Sequence, residues 1–259
     1  MNTKSFIYLT IGLGVSILST RAQTVAYDNA DLYPNPPDHG WSAFNGGFGY
    51  GLWTPLADTG GGGTYMDGVS VNNRQVEGNF SFALYAGGGS YDISRPLTTS
   101  MASGDFSIIT RFDVAGAGPN LVDLRSGNNT ASFGAGQLLS FGIVNGNQLS
   151  ITDGSGFQVL PSGEARGSVW DWNINFNAAA GTYSGSVTNL GGGFADTFSG
   201  SLEASSTTVG SFAVINSSTG NNQNVIFDVP TFTAVPEPST LALAGLSGAA
   251  MLFGFRRRK

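Results

Sequence analysis

The chain has 259 residues, a formal net charge of −6, no cysteine and 39 glycines. Without cysteine it has neither a disulfide framework nor a thiolate nucleophile. Setting aside the charged residues at the two chain ends leaves five arginines against sixteen acids, a net charge of −11 with no lysine. Nucleic acid and anionic membrane surfaces are excluded as partners of this central part, because both require a basic footprint.

Residues 1–22 have the features of a signal peptide. Lys4 supplies a positive n-region, residues 6–18 form a short apolar h-region, and Thr20-Arg21-Ala22 resembles a cleavage site of the A-x-A type. We expect signal peptidase to cut after Ala22, so that the exported chain begins near Gln23.

Residues 23–234 read as a single all-β domain. Good helix formers such as Lys, Glu and Gln are scarce, whereas Gly, Ser, Thr and Asn are plentiful. Apolar residues alternate with polar ones at period two, which is typical of strands that bury one face. The clearest apolar positions are Phe106, Ile108, Phe112 and Val114 in one segment, and Trp170, Trp172, Ile174 and Phe176 in another.

Turn residues separate these segments. Asn145-Gly146-Asn147 lies between two apolar runs and predicts a tight hairpin, because Asn and Gly tolerate positive φ. Short strands with frequent turns and no intervening helical pattern predict a two-sheet antiparallel β-sandwich. About 210 residues can bury a full core without disulfides.

Several segments carry a resemblance to a known fold family. Residues 45–53 (NGGFGYGLW), 80–86 (FSFALYA), Arg95-Pro96-Leu97 and 105–108 (DFSI) together resemble bacterial exported proteins with a concanavalin A-like or laminin G-like jelly roll. This resemblance implies a module that binds glycans, serves in adhesion or structure, or in some branches cleaves polysaccharides. Fold alone does not choose among these functions.

Aromatic residues in a glycine-rich stretch raise the possibility of a sugar-binding surface. Trp41, Tyr50 and Trp53 stand among glycine and asparagine, and flat rings beside amides suit stacking on a sugar face. The competing interpretation is that these rings complete the core at one end of the sandwich. Because Trp41 and Trp53 lie in a glycine-rich stretch without strand alternation, we expect at least one of them to be partly exposed.

Calcium is the one metal that the sequence suggests, and only in a structural role. Asp28 and Asp31 lie near the start of the domain and Asp228 lies near its end. The first and last strands of a jelly roll often lie side by side, so these carboxylates could supply oxygen ligands. No other cofactor is expected.

Catalysis has weak support. The expected Glu-x-Asp-x-x-Glu pattern of concanavalin A-like glycosidases is missing, and Glu164 with Asp171 is the nearest approach to a carboxylate pair. We expect Asp171 to be an outward-facing strand residue beside buried indoles. The single histidine, His39, with Ser42 nearby, lies in a loop-like stretch and is expected to be solvated.

Residues 235–259 form a tripartite tail. Val235-Pro236-Glu237-Pro238 precedes an uncharged apolar run, 239–255, which is followed by Arg256, Arg257, Arg258 and Lys259. At about 1.5 Å per residue the run is barely long enough to span a bilayer as a helix, and the basic end should stay on the cytoplasmic side. A plain single-span anchor is the alternative, but it has no need of the Pro-Glu-Pro.

This order of elements resembles the PEP-CTERM sorting signal of Gram-negative bacteria. The resemblance implies recognition by exosortase, cutting near Pro-Glu-Pro, and delivery to the cell surface or extracellular matrix. The sequence therefore predicts an exported, non-catalytic β-sandwich with a structural or adhesive role in the exopolysaccharide matrix. The alternatives are a lectin-like glycan-binding module and, less favoured, a polysaccharide-cleaving enzyme.

Overall fold

The structure is a computed structural model in which Gln23–Val235 form one compact unit. The predicted signal peptide, except Ala22, and the predicted sorting helix lie outside the described residues. Within the described part of the chain, no helix has the length and hydropathy of a membrane span. The structure describes residues 22–33, 40–41, 45–68, 74–113, 118–127, 136–144, 147–163, 165–203, 206–217 and 223–235.

The described residues include fifteen β-strands and the 3₁₀ helix Ala30–Leu32. The strands are β1 Gln23–Tyr27, β2 Thr54–Asp58, β3 Gly63–Gly68, β4 Phe80–Ala86, β5 Tyr91–Met101, β6 Ser103–Asp113, β7 Asn120–Arg125, β8 Gln137–Ile143, β9 Leu149–Asp153, β10 Gly156–Val159, β11 Val169–Asn177, β12 Thr182–Asn189, β13 Ala195–Ser201, β14 Val209–Asn216 and β15 Gln223–Ala234.

Two antiparallel sheets make up the unit. The first sheet has the order β13-β12-β11-β6-β15-β4-β3, with β1 also paired to β15. The second sheet has the order β10-β9-β8-β7-β14-β5-β2. The predicted two-sheet antiparallel sandwich is confirmed.

The core lies between the sheets and is rich in aromatic rings. The period-two prediction for β6 and β11 is confirmed, since their apolar positions are buried in strict alternation; Val114 lies outside the described residues. Phe141 of the second sheet packs on Trp172 of the first, with ring centroids 4.7 Å apart. Phe106 and Phe212 make a similar contact at 5.7 Å. These contacts join the two sheets.

The hairpin predicted around residue 146 is also present. β8 and β9 pair antiparallel, with Ile143 opposite Leu149. Asn145 and Gly146 of the turn lie outside the described residues, but the register confirms the hairpin that their sequence predicts.

The first and last strands pair, as the sequence suggested. β1 runs antiparallel to the end of β15, with Gln23 opposite Ala234 and Tyr27 opposite Thr231. The register of β15 against β6 shifts between Asp228 and Thr231, which marks a bulge. This pairing brings the segment after β1 to the bulge in β15, and the backbone N–H of Asp28 donates to the carbonyl oxygen of Pro230 at 3.2 Å.

Candidate functional site

The outward face of β11 carries a row of polar side chains. Because side chains alternate along a strand, burial of Trp170 and Trp172 turns the intervening residues to the opposite face. Asn173 and Asn175 are exposed there, and Asp171 is half-buried. The prediction that Asp171 is an outward-facing strand residue is confirmed.

Neighbouring strands extend this polar row sideways. Asn173 lies opposite Ser107 of β6 and Ser186 of β12, and Ser186 lies opposite Thr197 of β13. The next row along the strands repeats the arrangement with Asp105, Asn175, Ser184 and Ser199. Strands about 4.8 Å apart therefore present a lattice of amide, hydroxyl and carboxylate groups on one open face.

These rows line a concavity of about 650 Å³, here named the polar groove. The lining residues are Asp105, Phe106, Asn173, Ile174, Asn175, Ser184, Gly185, Ser186, Thr197, Phe198 and Ser199.

Most hydrogen-bonding capacity in the polar groove is unused by the protein. Asn175 Nδ2 donates to Asp105 Oδ1 at 2.8 Å. Within the described part of the chain, the side chains of Asn173, Ser186 and Thr197 make no hydrogen bond, although the backbone N–H of Thr197 donates to Asp196 Oδ1 at 2.8 Å. Donors and acceptors that face solvent in a fixed array can exchange water for the hydroxyl groups of a ligand.

The predicted sugar-stacking surface is wrong. Trp41, Tyr50 and Trp53 are exposed by only 1%, 4% and 4%, so the expectation that Trp41 or Trp53 is partly exposed fails. Trp41 packs edge-on against Trp53 with centroids 4.7 Å apart, and its indole N–H donates to the carbonyl oxygen of Tyr65 at 2.8 Å. The competing interpretation, that these rings belong to the core, is the correct one.

Glycine in this stretch serves close packing of the backbone. Gly47 and Gly49 have φ of 69° and 76°. A Cβ at Gly47 would overlap the carbonyl oxygen of Tyr27, and one at Gly49 would overlap that of Val25. The alternation of glycine and aromatic residues therefore lets the segment lie against β1 while Tyr50 points inward. The pattern of glycine and aromatic residues that suggested a sugar-binding surface is therefore explained by packing against β1.

Arg95 occupies the faces of two of these rings. Its guanidinium carbon lies 4.7 Å from the centroid of Tyr50 and 4.8 Å from that of Trp53. The side chain also donates to the carbonyl oxygens of Gly51 and Gly46 at 3.2 and 2.7 Å. Burial lowers the pKa of Arg95 to about 9, so the guanidinium keeps its charge at neutral pH.

The predicted calcium site is not assembled. Asp28 forms a buried ion pair with Arg95, and its Oδ2 accepts a hydrogen bond from the Tyr33 hydroxyl at 2.8 Å. Among the described residues, no three Asp, Glu, His or Cys side chains are grouped as metal ligands. The guanidinium of Arg95 supplies the positive charge that Asp28 was expected to receive from a metal ion.

The other two aspartates of that prediction bind backbone N–H groups. Asp31 accepts from Asn79 and Phe80, with the shortest contact at 2.9 Å. Asp228 Oδ1 accepts from Ala30 at 3.0 Å and thereby ties the 3₁₀ helix to β15. Both carboxylates fasten the first segment of the domain to later strands.

The bulge around Asp228 is locally strained. Val229 has φ of 46°, a region that β-branched residues rarely enter, and its N–H donates to Asp228 Oδ1 at 2.8 Å. Asp228 Oδ2 is buried and has no hydrogen-bond partner in the described residues. Burial raises the pKa of Asp228 to about 8, and the nearby charges of Asp31 and Glu77 act in the same direction.

The second sheet holds another buried polar group. Asp123 Oδ2 accepts from Arg125 at 3.2 Å, and Asp123 Oδ1 accepts from Ser140 at 2.5 Å. Burial raises the pKa of Asp123, although Arg125 and Ser140 oppose the rise. This group is enclosed, since Asp123 and Arg125 are almost fully buried, and it offers no open surface to a ligand.

Sequence reasoning missed the polar groove as a site. The signal in the sequence was the set of outward-facing residues that alternate with the buried ones. On β11 these residues read Asn-x-Asn-x-Asn, and Ser and Thr occupy the outward positions of the neighbouring strands β12 and β13. Those residues read as ordinary solvent-facing positions, because the strand order that aligns them is a tertiary property. His39, Ser42 and Glu164, weighed as catalytic candidates, lie outside the described residues.

The chain end matches a known family model. Residues 234–259 match the PEP-CTERM protein-sorting motif. The tail is a PEP-CTERM sorting motif. This motif marks the protein for export, exosortase processing and association with the cell surface. A comparison with curated proteins found no match.

Solved structures similar to this chain include legume lectins. Peanut lectin with a nine-residue peptide is 13% identical, with a TM-score of 0.47, and the match covers 67% of this chain and 97% of the lectin. Basic winged bean lectin with Tn-antigen is 7% identical, with a TM-score of 0.47 and coverage of 84% and 100%. Lotus tetragonolobus seed lectin is 10% identical, with a TM-score of 0.44 and coverage of 72% and 100%. The likeness concerns the two-sheet sandwich alone.

Proposed function

We propose that this protein is a non-catalytic adhesive module of the cell surface that holds extracellular polysaccharide in the polar groove. In this proposal signal peptidase removes residues 1–22 of a Gram-negative precursor. The tail holds the precursor in the inner membrane until exosortase acts. The PEP-CTERM motif supports the proposed location at the cell surface. The polar groove supports the binding role.

The observation that carries the proposal is the row that joins Asn173, Ser186 and Thr197 on three adjacent strands. A polysaccharide presents hydroxyl groups at regular intervals, and a sheet presents side chains at regular intervals. Rigid strands hold the binding groups in place, so little conformational entropy is lost when the ligand binds.

The chemistry of the polar groove favours binding of a polysaccharide over its cleavage. Glycoside hydrolysis uses two carboxyl groups about 5 to 9.5 Å apart, one as acid and the other as nucleophile or base. Among the described lining residues, Asp105 is the one carboxylate. An amide and hydroxyl surface can hold a sugar, but it does not supply the acid and the nucleophile together.

The direct test measures retention of polysaccharides by full-length protein in neutral detergent. The double substitution Asn173→Ala and Ser186→Ala should weaken binding roughly tenfold, because each lost hydrogen bond contributes about 0.5–1.5 kcal/mol. The matched control is Thr99→Ala with Ser100→Ala, two exposed positions on β5 of the other sheet. Equal binding by the groove variant, or retention of no polysaccharide by the wild type, would overturn the proposal.

A purely structural role is the second candidate. This role is supported by the buried aromatic segment and by the ion pair of Asp28 with Arg95, since residues that the sequence suggested for binding lie in the core. A structural protein would keep its surface location but would not respond to substitutions in the polar groove. Comparing matrix integrity in cells that carry the wild type, the groove variant or a deletion distinguishes the two roles.

A further inference from the structure

Almost all arginines of the described residues are neutralised by aspartates of the same chain. Four of them form ion pairs with aspartates, and Arg166 is the described arginine without such a pair. The pairs are Arg74 with Asp67, Arg95 with Asp28, Arg111 with Asp113, and Arg125 with Asp123. Little positive charge remains free to hold an acidic polymer.

The polar groove carries negative charge and no positive charge. None of its lining residues is basic. Asp105 receives a hydrogen bond from the neutral Asn175 and has no ion pair within the described chain. Asp171 lies on the same face, two residues before Asn173, and likewise has no ion pair there. Asp171 is opposite Ile109, four residues beyond Asp105, which places the two Cα atoms roughly 14 Å apart.

We propose that the ligand of the polar groove is a polysaccharide that carries free amino groups, such as a partly deacetylated amino-sugar polymer. Ammonium groups contact Asp105 and Asp171, while sugar hydroxyls bond to Asn173, Ser186 and Thr197. This inference rests on the proposed function and specifies its ligand. An acidic polysaccharide would be repelled by a domain of net charge −11, and its carboxylates would meet no cation in the groove.

The test compares chitosan oligosaccharides with fully N-acetylated chitin oligosaccharides of equal length and with alginate oligosaccharides, using full-length protein in neutral detergent. We expect the deacetylated probe to bind several-fold more tightly than the acetylated one, and alginate not to bind. Raising the salt from 0.1 to 1 M shortens the Debye length from about 10 to about 3 Å and should remove the preference.

Isosteric substitutions locate the effect. Asp105→Asn and Asp171→Asn should each lower affinity for the deacetylated probe by roughly two- to fivefold, the range of a solvent-exposed ion pair. Affinity for the acetylated probe should fall by a smaller factor than affinity for the deacetylated probe, because an acetylated amine carries no charge. Glu77→Gln is the matched control, because it removes one acid from an exposed site on a different part of the domain.

Each contrary result is informative. Equal, groove-dependent binding of both chitin-derived probes would overturn this inference and leave the proposed function standing. Poly-lysine binding that matches the chitosan probe and depends equally on Asp105 would show recognition of charge without sugar, and would also overturn it. Loss of all groove-dependent binding would overturn the proposed function as well.

Discussion

Asp28, just beyond the first strand, forms an ion pair with Arg95 in the middle of β5, and both side chains are fully buried. The pair joins the segment that follows β1 of the first sheet to a strand of the second sheet. Tyr33 completes the contact, because its hydroxyl accepts from Arg95 at 3.1 Å and donates to Asp28. A charge pair thus occupies the place where the sequence suggested a metal ion.

Breaking that pair should be costly. Arg95→Met leaves Asp28 charged and buried without its partner, so we expect a loss of about 3–5 kcal/mol in the free energy of unfolding. Arg111→Met is the matched control, since Arg111 pairs with Asp113 at a partly exposed position and should cost under about 1 kcal/mol. Urea denaturation of both variants measures the difference. Similar costs would contradict the role of the buried pair.

The tryptophans of this domain should all behave as core residues. Trp170→Ala, Trp172→Ala, Trp41→Ala and Trp53→Ala should each cost about 3–5 kcal/mol, because each removes a large buried ring. Phe48→Ala and Leu52→Ala are controls from the same glycine-rich stretch, with side chains 53% and 63% exposed, and should cost little. Thermal melting compares them. A Trp41 or Trp53 variant with a normal melting temperature would restore a surface role for that ring.

Stability should fall as the pH rises from about 4 to about 8 because of Asp228. Its pKa is about 8 in the folded protein and near 4 in the unfolded chain, so only the folded state holds the proton across that window. The stabilisation is complete below pH 4 and is lost as the pH approaches 8; it amounts to on the order of 5 kcal/mol at most.

Asp228→Asn should remove this component, since asparagine does not titrate. The free energy of unfolding, measured at intervals from pH 4 to 9, should decline less in the variant than in the wild type. Burial raises the pKa of Asp92 to about 6 and adds a decline common to both proteins. Parallel curves would show that Asp228 does not hold its proton in the folded state.

Calcium should not change the thermal stability of the domain. A ligand bound only by the native state stabilises it, and a millimolar ion on a site of about 10 µM affinity would add roughly 2.7 kcal/mol. Because Asp28, Asp31 and Asp228 are engaged by Arg95 and by backbone N–H groups, we expect coincident melting curves in calcium and in chelator. A rise in melting temperature that Asp228→Ala abolishes would restore the metal site.

The sorting tail should be removable without harm to the sandwich. We expect surface protein to lack Arg256, Arg257, Arg258 and Lys259, and deletion of residues 235–259 to release folded protein into the medium. Intact-mass analysis and circular dichroism measure the two outcomes. Surface protein that keeps its basic end would favour the plain membrane anchor.

Local sequence was sufficient to predict individual strands and the sorting of the protein to the cell surface. The period-two burial on β6 and β11 and the β8–β9 hairpin follow from residues close in the chain, and each is present. The sorting motif is likewise a contiguous segment. Such features are readable because each depends on neighbours in the sequence.

The local composition around Trp41, Tyr50 and Trp53 led to the wrong prediction of a sugar-stacking surface. Exposed sugar-stacking rings and buried core rings can share a glycine-rich context, and what decides between them is which backbone the glycines approach. Here that backbone is β1, which Gly47 and Gly49 contact closely.

The sequence by itself determined an exported, acidic, all-β chain with a sorting tail, because charge, periodicity and motif are properties of neighbouring residues. Tertiary structure alone decided where function can reside. Pairing of β6, β11, β12 and β13 aligned Asp105, Asn173 and Ser186 into one groove, and the meeting of β1 with β15 turned three candidate metal ligands into internal contacts. Sites of this kind depend on strand order and register, which long-range pairing sets and local sequence does not encode.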